Sequence, residues 1–133
     1  MSEPRKITLD DVDRILNEHP TLGEYGYNHP DADTAEELDI SRRRLRRQVA
    51  DIQSAYDWLL TLHPLPDGGL WPTSYSLKHD GERSGKIGYV TNGAMIVAAL
   101  LAQLPMRLDP PNPAVRVALT APRPTPPADG FTA

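Results

Sequence analysis

Cysteine is absent from the chain, which excludes disulfides, thiolate metal sites and a cysteine nucleophile. Long apolar runs are absent as well, and none approaches the roughly 20 residues of a bilayer span. The opening MSEPRKITLDD lacks the apolar core of a secretory signal. A phosphate loop is missing: three residues, not four, separate Gly81 from Gly85, and Ile87 stands where such loops carry Ser or Thr. No arrangement suggests an activated serine. His79 with Glu82, and His29 with Asp31 and Asp33, are too sparse to specify a metal and are explained as helix and turn residues. The expectation is a non-enzymatic protein of the cytoplasm, without metal or cofactor.

What is present is an ordinary globular composition. Hydrophobic residues make up 39% of 133 positions and charged residues 24%, enough for one domain with a real core or two very small ones. The net charge of −4 argues against a general nucleic-acid coat. The charge is segregated, however. Residues 1–40 carry eleven acids and three bases, and residues 41–133 carry seven acids and eleven bases. Such asymmetry marks either a functional surface or two oppositely charged helices packed side by side.

Thr8 and Asp11 form a capping box, and Leu9, Val12, Ile15 and Leu16 recur at helical spacing. A first helix is expected over 9–18, closed by Pro20. The following PTLGEYGYNHPDAD reads as a long loop. Thr34 and Glu37 form a second capping box, and helical periodicity runs from Leu38 to Leu62. The breaker HPLPDGGLWP is the candidate boundary. Beyond it, Tyr75 to Arg83 reads as a short helix. AMIVAALLAQL reads as another, capped by Thr91 or Asn92; its Ala and Leu content favours helix over a hairpin at Asn92-Gly93. Prolines dominate after Leu104, with Ala114 to Leu119 able to pair as a short edge strand. The expected architecture is mainly α. It comprises a helical unit over 1–62, a linker over 63–73, a second helical unit over 74–104 and a Pro-rich tail over 105–133.

The stretch TAEELDISRRRLRR carries the functional expectation. Five arginines fall in six residues after Asp39-Ile40-Ser41. Ala35 is small enough for a close helix crossing, Leu38 would end one helix, Ile40 and Leu45 would face inward, and Ser41 would cap a second helix. Asp31 to Val49 thus resembles the helix-turn-helix and winged-helix bacterial DNA-binding regulators, in which a similar Ala-Glu-Glu-Leu-x-Ile-Ser-Arg run precedes a basic recognition helix. The resemblance implies sequence-specific binding of double-stranded DNA and transcription regulation. It places Ser41, Arg42, Arg43, Arg44, Arg46 and Arg47 at the DNA, where arginine's planar fork meets guanine or phosphate. The competing expectation is one uninterrupted helix over 34–62. Leu38, Leu45, Ile52 and Leu59 would form a heptad seam, and the Leu45, Ile52, Leu59 face would serve a homodimer.

The second half, with its Ser-Tyr-x-Leu-Lys-His start and Tyr-Val-x-Asn-Gly continuation, is loosely similar to small uncharacterised phage and mobile-element proteins. Lys78, Arg83 and Lys86, with His79, would provide a second nucleic-acid contact; packing of Tyr75, Leu77 and Tyr89 on the apolar helix explains the same residues. The alternative function is an acidic protein-interaction module. It would inhibit a host or phage nucleic-acid machine through Asp10, Asp11, Asp13, Glu36, Glu37 and Asp39.

Overall fold

Thr8 starts the first helix as the sequence requires. Its hydroxyl accepts from the Asp11 backbone N–H at 3.3 Å, and the Asp11 carboxylate accepts from the Thr8 N–H at 2.8 Å. Two of the four orphan donors of the helix start are thereby satisfied. The computed structural model describes residues 5–63, 70–107 and 113–117, and the helices are α1 (Leu9–Glu18), α2 (Ala35–Arg46), α3 (Val49–Leu59), α4 (Ser74–Ser84) and α5 (Asn92–Leu101). The protein is mainly α. Two small antiparallel hairpins complete it, β1 (Leu22–Gly23) with β2 (Gly26–Tyr27) and β3 (Met106–Arg107) with β4 (Ala114–Val115). The second hairpin bears out the pairing expected at Ala114. The first, and the 3-10 turn Pro30–Ala32 after it, occupy the expected long loop.

Helix α5 organises the interior. Nine of its ten residues are buried, as expected of a helix that is apolar all round. Thr91 caps it by accepting from the Ala94 N–H. Helices α1, α3 and α4 pack on it, together with β2. One apolar cluster therefore runs from Ile7 and Val12 through Leu45, Ile52, Tyr56 and Leu59 to Met95, Ile96, Val115 and Val117. The helical runs expected to form two units around 63–73 share this single core instead of having one each. The linker itself falls largely on 64–69, outside the described residues, as do 108–112 and 118–133 of the Pro-rich tail.

Neither expectation for 34–62 holds. Helix α2 passes unbroken through Asp39, Ile40 and Ser41, so the chain does not turn there. It breaks two residues before Val49, at Arg47 and Gln48, where Gln48 leaves helical geometry at φ −99°, ψ 29°. The uninterrupted helix is thus corrected as well. Leu45, Ile52 and Leu59 are fully buried in the chain's own core. That face is occupied and cannot serve the expected homodimer. Ile40, expected to face inward, is 41% exposed.

Candidate functional site

With α2 continuous, its charge pattern has a local cause. Glu36 and Glu37 lie in its first turn, and Arg43, Arg44 and Arg46 in its last. Acids at the positive end and bases at the negative end of the helix dipole each stabilise the helix by about 0.3–1 kcal/mol. The arginines therefore end a helix instead of beginning one.

Most of them are engaged. Arg42 turns inward. Its guanidinium donates to the carbonyls of Leu16 (2.6 Å), His19 (2.9 Å) and Leu22 (2.8 Å), tying α2 to the end of α1 and the start of β1. Burial lowers its pKa. Arg46 makes a two-pronged pair with Asp13 of α1, at 2.6 and 3.2 Å; this hydrogen bond lowers the Asp13 pKa and raises that of Arg46. Arg43 pairs with Asp39 one turn earlier, and Arg44 reaches Glu24 at 3.3 Å. Arg47 is exposed and makes no ion pair among the described residues. Ser41, expected as a cap, is buried, and its hydroxyl accepts from the Glu24 N–H at 2.8 Å.

Four of the six acids expected on the alternative surface are engaged in the same way, while Asp10 and Glu36 are exposed without an ion pair among the described residues. Asp11 pairs with Arg5 and closes the Thr8 cap. Asp13 holds Arg46, Glu37 closes the Thr34 cap and Asp39 holds Arg43. The segregated charges largely join α1 to α2 or stitch α2 to itself.

An open cleft of about 520 Å³ lies elsewhere, between α4, the start of α5 and the β1–β2 hairpin. Glu24, Tyr25 and His29 line one side; Tyr75, Lys78, His79 and Tyr89 line the other; Thr91 and Asn92 close the end. Three tyrosine rings face it, Tyr25 at 38%, Tyr75 at 50% and Tyr89 at 72% exposure. Large apolar bodies left this open need a reason. Tyr75 and His79 meet edge to face at 4.3 Å between centroids, an i,i+4 contact on α4. Tyr25 and His29 lie 5.3 Å apart. His29 Nδ1 accepts from the Asp31 N–H, which leaves Nε2 as the donor when the ring is neutral.

Lys78 is the buried cation of this cleft. Its ammonium lies 3.1 Å from Glu82 Oε2, 4.8 Å from the Tyr89 ring centroid and 5.8 Å from that of Tyr75. Glu82 Oε2 also accepts from the Val90 N–H, which anchors the segment carrying Tyr89. The other two cations expected here are placed differently. Arg83 follows His79 by one turn on the same face of α4, and it is exposed without an ion pair among the described residues. Lys86 is likewise exposed, beside a shallow groove lined by Ser54, Asp57, Trp58 and Thr61. The expected packing is partly seen: Leu77 is fully buried, but Tyr75 and Tyr89 are not.

Tyr25 and Glu24 were not legible as site residues, and His29 was legible only as a turn residue beside Asp31 and Asp33, because nothing local links the three to α4. The signal that was available is the Tyr75–His79–Arg83 spacing at four-residue intervals. Among the described residues no three His, Asp or Glu side chains are placed to hold a metal. No helix among the described residues is long and apolar enough to cross a membrane. Comparison of the chain with family models, curated proteins and solved structures finds no match.

Proposed function

We propose that this protein binds single-stranded nucleic acid, and that it does so through the α4 cleft. The observation that carries the reading is the convergence of three open tyrosine rings and two imidazoles on one cleft, with the uncommitted cation Arg83 one turn beyond His79 on α4. Bases present a planar face to any aromatic ring, whatever their sequence, and the strand's phosphates seek cations nearby. Tyr75, His79 and Arg83 rise along α4 by about 6 Å per step, a spacing suited to alternating base and backbone contacts. Duplex DNA is a weaker fit. Its bases are already stacked, and the arginines of α2 that would read its groove are mostly bound to the protein itself.

Fluorescence anisotropy of a labelled short strand and of the matching duplex, at low salt, tests the proposal. The single strand is expected to bind more tightly. Tyr75→Ala and Tyr89→Ala should each weaken it by about 1–3 kcal/mol, the worth of one stacked base. Arg83→Ala should flatten the salt dependence by about 0.7, the share of one phosphate contact. Arg43→Ala should change neither. Failure of every single strand to bind at low salt would overturn the proposal. Preferential binding of the duplex, lost with Arg43 or Arg47, would return the site to α2 and to the regulator reading.

A further inference from the structure

Glu24 is a carboxylate where apolar floor is expected. It is 8% exposed and sits at the foot of the cleft, next to Tyr25. It also lines a smaller recess of about 140 Å³ with Arg44, Glu37 and Asp31. Its backbone is pinned on both sides: the N–H donates to Ser41 Oγ at 2.8 Å, and the carbonyl accepts from the Gly93 N–H at 3.0 Å. There is no slack in this seat. A Cβ on Gly93 would lie 2.8 Å from Glu24 Cα.

The carboxylate is held loosely by comparison. Arg44 Nη1 reaches Oε2 at 3.3 Å and Gln48 Nε2 reaches Oε1 at 3.5 Å. Both are at the long end for hydrogen bonds. A carboxylate offers about four acceptor positions, so each oxygen retains one. The Arg44 charge offsets that of Glu24, so the cleft floor does not repel a phosphate strand. What remains is a pair of acceptors carried on a fixed backbone, next to Tyr25 in the cleft lining.

Resting on the single-strand reading, we propose that Glu24 selects guanine. A pair of acceptors is satisfied by two neighbouring N–H donors. Guanine presents N1–H and N2–H side by side. Adenine and cytosine each place an acceptor ring nitrogen beside their amino group, which would face a carboxylate oxygen. Thymine and uracil offer one N–H between two carbonyls. With Tyr25 beneath the ring, only guanine makes both bonds without setting a lone pair against the carboxylate.

The test is anisotropy of the full chain with short labelled strands of repeating T-T-G, T-T-A and T-T-C, and with oligothymidylate. The guanine strand should bind roughly tenfold tighter than the others, within the range for a good bidentate base contact. Glu24→Gln replaces one acceptor by a donor and should bring the guanine strand down to the adenine strand. Equal binding of all four strands by the parent overturns guanine selection and leaves the single-strand reading standing. Binding of none overturns both. Should Glu24→Gln fail to fold, as its melting curve would show, Glu24→Asp decides instead: drawing the carboxylate back by one methylene should abolish the guanine preference, and a preference kept in full refutes Glu24. A guanine preference that survives in a folded Glu24→Gln assigns the selection to another residue and refutes Glu24.

Discussion

Replacing Arg42 by Ala separates a structural arginine from a surface one. Its guanidinium serves three carbonyls at 2.6, 2.9 and 2.8 Å, two at the end of α1 and one in β1. Hydrogen bonds to a charged group are worth about 1.5–3 kcal/mol each. The three share one group and are not additive, and water would reach some of the exposed carbonyls. A total loss of about 3 kcal/mol is the reasoned figure, a large share of an ordinary stability of about 5–15 kcal/mol. At about 4 °C per kcal/mol for a chain of this length, the melting temperature should fall by about 12 °C. Arg43→Ala is the control. Its pair with Asp39 is exposed and one turn apart, worth at most about 0.5 kcal/mol. Urea titration followed by circular dichroism gives both values. Arg42→Lys should recover only part, since a single ammonium cannot reach all three carbonyls. An Arg42→Ala variant that melts within about 2 °C of the parent would refute the inward placement.

Gly93→Ala should cost about 3 kcal/mol or more, because the new Cβ would meet the Gly23 carbonyl oxygen; a calorimetric midpoint within a degree of the parent would show that the hairpin can retreat. Leu45→Asp should lose several kcal/mol by placing a charge at a fully buried position; circular dichroism showing an unchanged melt would mean that α2 is turned the other way. Burial lowers the pKa of His19, whose Nδ1 contacts the Tyr27 hydroxyl at 2.9 Å. Its neutral form is favoured in the fold, so its contribution is intact above the unfolded value of about 6.5 and is lost as pH falls below it. Melting temperature should decline between about pH 7 and 5 on this account, and His19→Gln should flatten that decline. Asp13 is held below the ordinary carboxylate range by the Arg46 hydrogen bond, so its contribution is present above about pH 4 and fades only below it; Arg46→Ala should shift the acid midpoint upward.

Both capping boxes were legible in the sequence because a cap is a contact between residues three apart. The α5 helix was legible from composition, and Thr91 caps it as expected. The β1–β2 hairpin was not, since strands of two residues have no period to read. The break at Arg47 and Gln48 was missed for a related reason. It holds no Gly or Pro, and Gln48 has no side-chain cap; its amide instead accepts from the Thr91 hydroxyl across the fold and donates to Glu24. The arginines were misjudged because the partners of Arg42 are backbone carbonyls, which leave no mark in a sequence. The segregated charge was visible, but it expressed a helix dipole and an α1–α2 pairing as readily as a surface for DNA. Half of the cleft, on α4, was open to reading; the half on the first hairpin was brought there by the Gly93 and Asn92 contacts to Glu24 and Tyr25.

Because α5 is buried on nearly every side, it is the shared partner of helices made before it. During synthesis, α1 and α3 leave the ribosome with apolar stripes that have nothing to cover them until residue 101 has followed. The surface on which both pack is made last. Folding should then be a single late event, not a stepwise one, and the half-made chain is the form most exposed to aggregation and to chaperones. Amide exchange would register the same dependence in the finished protein. The slowest amides of α1, α3 and α5 should open together with one free energy, as parts of one cooperative unit.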